Sequence, residues 1–177
     1  KSSLQGEHQI DNFGVSIKAV EVANNVYGLN VSKKQIERSL KNVFVPARFQ
    51  TVSKKPIFII DVAHNPHSIK TLVKNFRIHH PNTKINILLG MLKEKKPEEC
   101  INILKRIAKK IYLTDVPNPR SFDAKKTVDE LNDKNIYYIK NNEIKNLISH
   151  GENLIIAGSI YLVGSILAKG YVKIKLN

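Results

Sequence analysis

From Pro56 onward the chain alternates short apolar runs with longer segments of mixed polarity. The runs are Ile57–Ile60, Ile85–Leu89, Ile111–Thr114, Ile136–Ile139 and Leu154–Ile156. Each is three to five residues of largely continuous rather than alternating hydrophobicity, the mark of strands covered on both faces. The intervening segments carry apolar residues at three- and four-residue spacing. They predict helices at Pro66–His79, Pro97–Lys109, Ala124–Leu131, a short one near Glu143–Ile148, and Ile160–Lys169. Such alternation builds an α/β domain: a doubly wound, mostly parallel sheet with helices on both faces. Tyr171–Leu176 predicts a final, antiparallel edge strand, which makes the sheet mixed.

The first 45 residues read differently. Val15, Ala19, Val22, Ala23 and Val26 form an apolar stripe on a helix over Asn12–Tyr27, stopped by Gly28. Ser32 with Gln35 three positions on forms a capping box for a second helix, with Ile36 and Leu40 on one face, which ends before Pro46. Two helices without a strand make a poor domain. Residues 1–45 are therefore expected to be the end of a preceding domain plus a connector, and 46–177 a domain of their own.

Composition narrows the function classes. The chain has 177 residues, of which 42% are hydrophobic, enough for a full core. No apolar stretch reaches the roughly 20 residues of a membrane span, no signal-type segment opens the sequence, and the single Cys100 has no internal disulfide partner. These features predict a cytoplasmic protein without a membrane partner. The net charge of +14 invites a nucleic-acid reading. Its lysines, however, are scattered along the whole chain without interleaved aromatics, so a solvated basic surface that favours anionic ligands is the expectation, with no nucleic-acid partner.

Ligands of open α/β sheets bind beyond the carboxyl ends of strands. The first such end reads FIIDVAHNPH over Phe58–His67, placing Asp61, His64, Asn65 and His67 there. Pro66 suits a first helical turn, which makes Asn65 the N-cap and aims the helix dipole at an anion. The plainer alternative is that Asp61 and Asn65 only cap loop and helix. Three metal ligands within seven residues of one turn would point in different directions, so no metal is expected at Asp61, His64 and His67. Further strand exits read LLGMLKEKK, LTDVPNPRS (with Asp115 and Arg120) and IIAGSIYLVG, where Gly158 permits a tight turn and Ser159 begins a helix.

VPARFQ, FIIDVAHNPHS, LLGMLKEKKPEE, NPRS and IIAGSIYLVGSIL occur in the order found in the C-terminal part of folylpolyglutamate and dihydrofolate synthases of the Mur ligase superfamily, and GEHQIDNFGVSIKAV resembles the helix that closes their central ATPase domain. The resemblance implies a Rossmann-like C-terminal domain at 46–177, and the ATPase domain's helical tail and linker at 1–45. It also implies ATP-dependent amide formation through an acyl phosphate, with magnesium as cofactor, joining L-glutamate to folate or dihydropteroate in a monomer. By the same resemblance Asn12 approaches the adenine, Arg48 contacts the phosphates, Asp61 holds the nucleotide, His64 faces the reaction centre and acts on the glutamate, and Ser159 with Tyr161 binds the glutamate. Ala47 and Val62 stand where the family has glycine, losing freedom at positive φ, and Lys96 reverses a charge in the second loop. No G-x-x-x-x-G-K-[ST] phosphate loop is present, and the only methionine is Met91. The expectation is a C-terminal piece, inactive alone. A free-standing nucleotide- or anion-binding module is the alternative.

Overall fold

The structure, a computed structural model, describes residues 8–174. It divides into two compact units with the boundary between Pro46 and Ala47.

The first unit holds α1 (His8–Tyr27) and α2 (Lys33–Asn42). The Ser32 capping box forms as its sequence dictates, the hydroxyl accepting from Gln35 N and the Gln35 side chain accepting from Ser32 N. The stripe on α1 is helical but stays largely in solvent: Val15 is 72% and Val26 64% exposed. Among the described residues of this unit, α2 buries none and no hydrophobic core cluster forms.

The second unit is a six-stranded sheet. Its strands are β1 (Gln50–Lys54), β2 (Ile57–Ile60), β3 (Ile85–Leu89), β4 (Ala108–Leu113), β5 (Ile136–Tyr138) and β6 (Leu154–Ala157), in the order β1-β2-β6-β3-β4-β5. Among the described residues only the β1–β2 strand pair is antiparallel. The connecting helices are α3 (Pro66–His79), α4 (Pro97–Leu104), α5 (Ala124–Leu131), α6 (Ile144–Ser149) and α7 (Ile160–Ala168). Helices α3, α4 and α5 share one core with Ile59, Ile87, Leu89 and Ile155. Helices α6 and α7 share the other with Ile60, Leu88 and Ile156. The chain steps outward from β2 to β5 under the first set and returns to the centre at β6 under the second, which keeps every parallel crossover right-handed.

Three expectations change. The antiparallel edge strand is β1, not Tyr171–Leu176: Gly170, at φ 66°, ends α7, and Tyr171 N and Gly170 N donate back to Ile166 O and Leu167 O, a Schellman closure that turns the chain aside. Residues 171–174 form no strand, and 175–176 lie outside the described residues. Helix α4 stops at Leu104 rather than Lys109, because Ala108 already pairs with Ile85 in the ladder. Helix α1 begins at His8, four residues before Asn12.

Candidate functional site

All parallel strands deliver their carboxyl ends to one edge. β2 and β6 are neighbours there, tied by Asp61 N donating to Ile156 O at 3.0 Å, and β3 joins them through Gly90 N to Ala157 O at 3.3 Å. The FIIDVAHNPH segment and the Gly158–Ser159 turn therefore leave adjacent strands.

Asp61 is 9% exposed, and backbone amides occupy both of its oxygens. Oδ2 accepts from Phe49 N at 2.8 Å and Oδ1 from Ala63 N at 2.6 Å. Val62 N adds a bond to Ala47 O at 2.9 Å. The strand end is thus stitched to the turn Ala47-Arg48-Phe49. That turn is unusual: Ala47 has φ 57° and Phe49 φ 45°. A left-handed conformation costs an L-residue about 1–2 kcal/mol, so the surrounding bonds must hold both in place. Ala47 and Phe49 are each 4% exposed, whereas Arg48 between them is exposed. Ala47 therefore adopts the conformation that its loss of a glycine was expected to hinder. Val62 avoids the difficulty, since it is not among the residues at positive φ.

His64 is half-buried. Its Nδ1 lies 2.9 Å from Val62 O, which fixes Nδ1–H as the donor in the neutral ring and leaves the Nε2 lone pair free. Its backbone N donates to Ser68 Oγ at 3.0 Å. Asn65 is the N-cap of α3: its side chain accepts from Ser68 N at 2.9 Å, and Ser68 Oγ accepts from Asn65 N in return. Ser68 thus anchors both the cap and the histidine. An N-x-x-S spacing is a fainter signature than a glutamate or glutamine at N3, and sequence reasoning passed over it. His67 is exposed on the helix surface, apart from this network.

Ser159 is 4% exposed and caps α7, its Oγ accepting from Tyr161 N at 3.1 Å, while the Tyr161 side chain remains accessible. Gly158 makes this placement possible. Its φ is 113°, and a Cβ there would stand 2.5 Å from Gly90 O and 2.8 Å from Leu89 Cδ1. Asn12 belongs to the other unit, exposed on α1, with its Nδ2 donating to Gln9 Oε1 at 3.1 Å.

The outer loops brace one another. Arg120 pairs with Glu94 at 2.9 Å, Lys93 N donates to Arg120 O, and Leu92 bridges Ser121. Lys96, at φ 56°, is the N-cap of α4 and sits 4.0 Å from Glu99. Asp115 accepts from Ala124 N and from the Tyr138 hydroxyl. Burial, then the Asp115 charge, pushes the Tyr138 hydroxyl above its ordinary pKa. Among the described residues no three His, Cys, Asp or Glu side chains gather as metal ligands.

Known proteins resemble this chain in sequence and fold. The family Mur ligase, glutamate ligase domain matches residues 47–162, nearly the whole second unit. The dihydrofolate synthase/folylpolyglutamate synthase of Bacillus subtilis is 28% identical over 171 residues, covering 94% of this chain and 40% of that protein. The folylpolyglutamate synthase structure from Thermotoga maritima is 30% identical with a TM-score of 0.75, over 97% of this chain and 41% of that one. A bifunctional folylpolyglutamate synthase/dihydrofolate synthase from Yersinia pestis, complexed with AMPPNP and Mn ion, is 26% identical with a TM-score of 0.69, over 81% of this chain and 36% of that one. The chain thus spans less than half the length of these relatives. By its mixed sheet, its strand-end motifs and the matched residues 47–162, the chain belongs to the Mur ligase family, as a glutamate ligase domain.

Proposed function

We propose that this chain supplies the glutamate-ligase part of an ATP-dependent carbon–nitrogen ligase that joins L-glutamate to folate or dihydropteroate through an acyl phosphate. The observation that carries this reading is the stitching of the exposed Arg48 to the Asp61–His64 segment, which sets a guanidinium and a free imidazole nitrogen on one scaffold. Arg48 is a planar, permanently charged fork suited to phosphate oxygens. Asp61 holds the turn that carries Arg48, and its carboxylate is the group that would meet the nucleotide ribose. His64, with Nδ1–H spent on Val62 O, presents Nε2 to orient the glutamate amine or take its proton as the amide forms. Ser159 and Tyr161, at the neighbouring strand end, would bind the incoming glutamate, and Asn12 would meet the adenine. The name of the Bacillus subtilis relative, dihydrofolate synthase/folylpolyglutamate synthase, supports the substrate class.

Magnesium accompanies ATP in this reading and would neutralise developing phosphate charge. The described residues do not fit it: Asp61 is the only acid of the proposed site, and no three His, Cys, Asp or Glu side chains gather around it. No step here runs through the metal, whose ligands belong with a phosphate-loop domain.

Steady-state kinetics on the full-length protein test the proposal. Asp61→Ala should chiefly raise KM for ATP. His64→Ala should lower turnover or weaken glutamate by about 10²-fold, typical of losing one positioned proton-transfer group. His67→Ala should change little. Unchanged kinetics for both Asp61→Ala and His64→Ala would overturn the assignment, and nucleotide binding without glutamate-dependent turnover would favour a simple binding module.

A further inference from the structure

Gln50 is the first residue of β1, and its backbone is fixed in register opposite Ile60. Its side chain does not follow the strand. The carboxamide Oε1 turns back three residues and accepts from Ala47 N at 2.9 Å. This bond engages the first of the two left-handed residues that flank Arg48, while Asp61 Oδ2 engages the second, Phe49. The turn is therefore clamped from both sides, by a neutral amide on β1 and a carboxylate just past the end of β2. Its only exposed residue of the three is the arginine.

We propose that Gln50 is a positioning residue for Arg48: its carboxamide latches the strained turn and thereby sets where the guanidinium meets the nucleotide phosphates, without touching them. The proposal rests on the reading of Arg48 as a phosphate contact. Removing the latch leaves the Ala47 N–H in a buried position without its acceptor, a state that backbone amides avoid. Ala47 then relaxes toward negative φ, and Arg48, one residue on, loses its fixed direction. Glutamate at position 50 keeps an oxygen of the same reach and should keep the latch. Leucine keeps the volume and loses the acceptor.

The experiment is a double-mutant cycle in the full-length enzyme, with Gln50→Leu, Gln50→Glu, Arg48→Ala and Arg48→Ala/Gln50→Leu. KM for ATP, KM for glutamate, turnover and melting temperature are measured for each. Gln50→Leu should raise KM for ATP by about tenfold and leave KM for glutamate within about twofold. Gln50→Glu should return KM for ATP to within about threefold of the unaltered enzyme, and in the Arg48→Ala background Gln50→Leu should add less than about twofold, since the interaction it serves is already gone. If Gln50→Leu costs the same factor with and without Arg48, or if Gln50→Glu fails as badly as Gln50→Leu at an unchanged melting temperature, the latch is refuted while Arg48 keeps its role. If Arg48→Ala leaves KM for ATP unchanged, the phosphate reading falls first and takes the latch with it. Should Gln50→Leu fail to fold, Gln50→Ala in the same cycle decides by the same criteria.

Discussion

Ala47 stands in a conformation that suits glycine, yet its methyl group is buried, so two replacements bracket what the turn tolerates. Ala47→Gly relieves left-handed strain but loses a buried methyl and frees the unfolded chain. These terms are each about 1 kcal/mol and opposed, so stability should stay within about 1 kcal/mol of the parent. Ala47→Val places a β-branched side chain at positive φ and should cost more than about 2 kcal/mol. Urea titrations of the two variants give both numbers, and equal losses would mean that the turn is not strained at Ala47. Asp61 sets a second constraint. Because each of its oxygens receives an N–H, Asp61→Asn can satisfy only one of them and sets an amide donor against the other. It should lose about 1–3 kcal/mol, close to the alanine variant rather than to the parent.

At the scale of elements, Gly158 carries the clearest forecast. A Cβ there would meet the Gly90 carbonyl and the Leu89 and Met91 side chains at 2.5–2.9 Å, and φ is 113°. Gly158→Ala should therefore destabilise the second unit by more than about 2 kcal/mol and displace the Ser159 cap, seen in melting curves and in glutamate binding together. That position was legible in the sequence as a glycine between a buried strand and a capping serine. So were the five parallel strands and the bounds of α3 and α5, because continuous apolar runs, helical spacing and the Asn65-Pro66 start are local signals. Strand β1 was not legible: Gln-Thr-Val-Ser-Lys has one apolar residue, and only pairing with β2 makes it a strand. The end of α4 was hidden as well, since Lys105-Arg106-Ile107 contains no glycine, proline or asparagine to mark the turn. The candidate site divides the same way. Motif residues Asp61, His64 and Ser159 stand at strand ends as their sequence context implies, whereas Ser68 offers only the faint N-x-x-S spacing and the Gln50 hydrogen bond, which depends on how the chain folds back, leaves no pattern to read.

For the molecule as a whole, Cys100 reports on whether the second unit is folded. It lies on α4, fully buried in the core that this helix shares with α3, and burial, aided by the Glu99 charge, pushes its thiol up to about 12 from 9.0. The native thiol should resist alkylation at pH 8 and react at once in denaturant, since the thiolate is the reactive form. The linkage sign follows. Between pH 9.0 and about 12 the unfolded chain gives up this proton while the native chain retains it, so the unfolded state binds fewer protons and stability falls as pH rises through that window. Below pH 9.0 the thiol is neutral in both states and contributes no slope. The same probe makes the division of labour testable with the 177-residue chain alone. It should protect Cys100, and it should bind nucleotide weakly, less so as salt screens its charge of +14. It should show no ATP- and glutamate-dependent turnover, because no phosphate-loop sequence cradles the β- and γ-phosphates. A protected Cys100 together with measurable ligase turnover would place the whole reaction within these residues and overturn the proposal that they supply only part of the site.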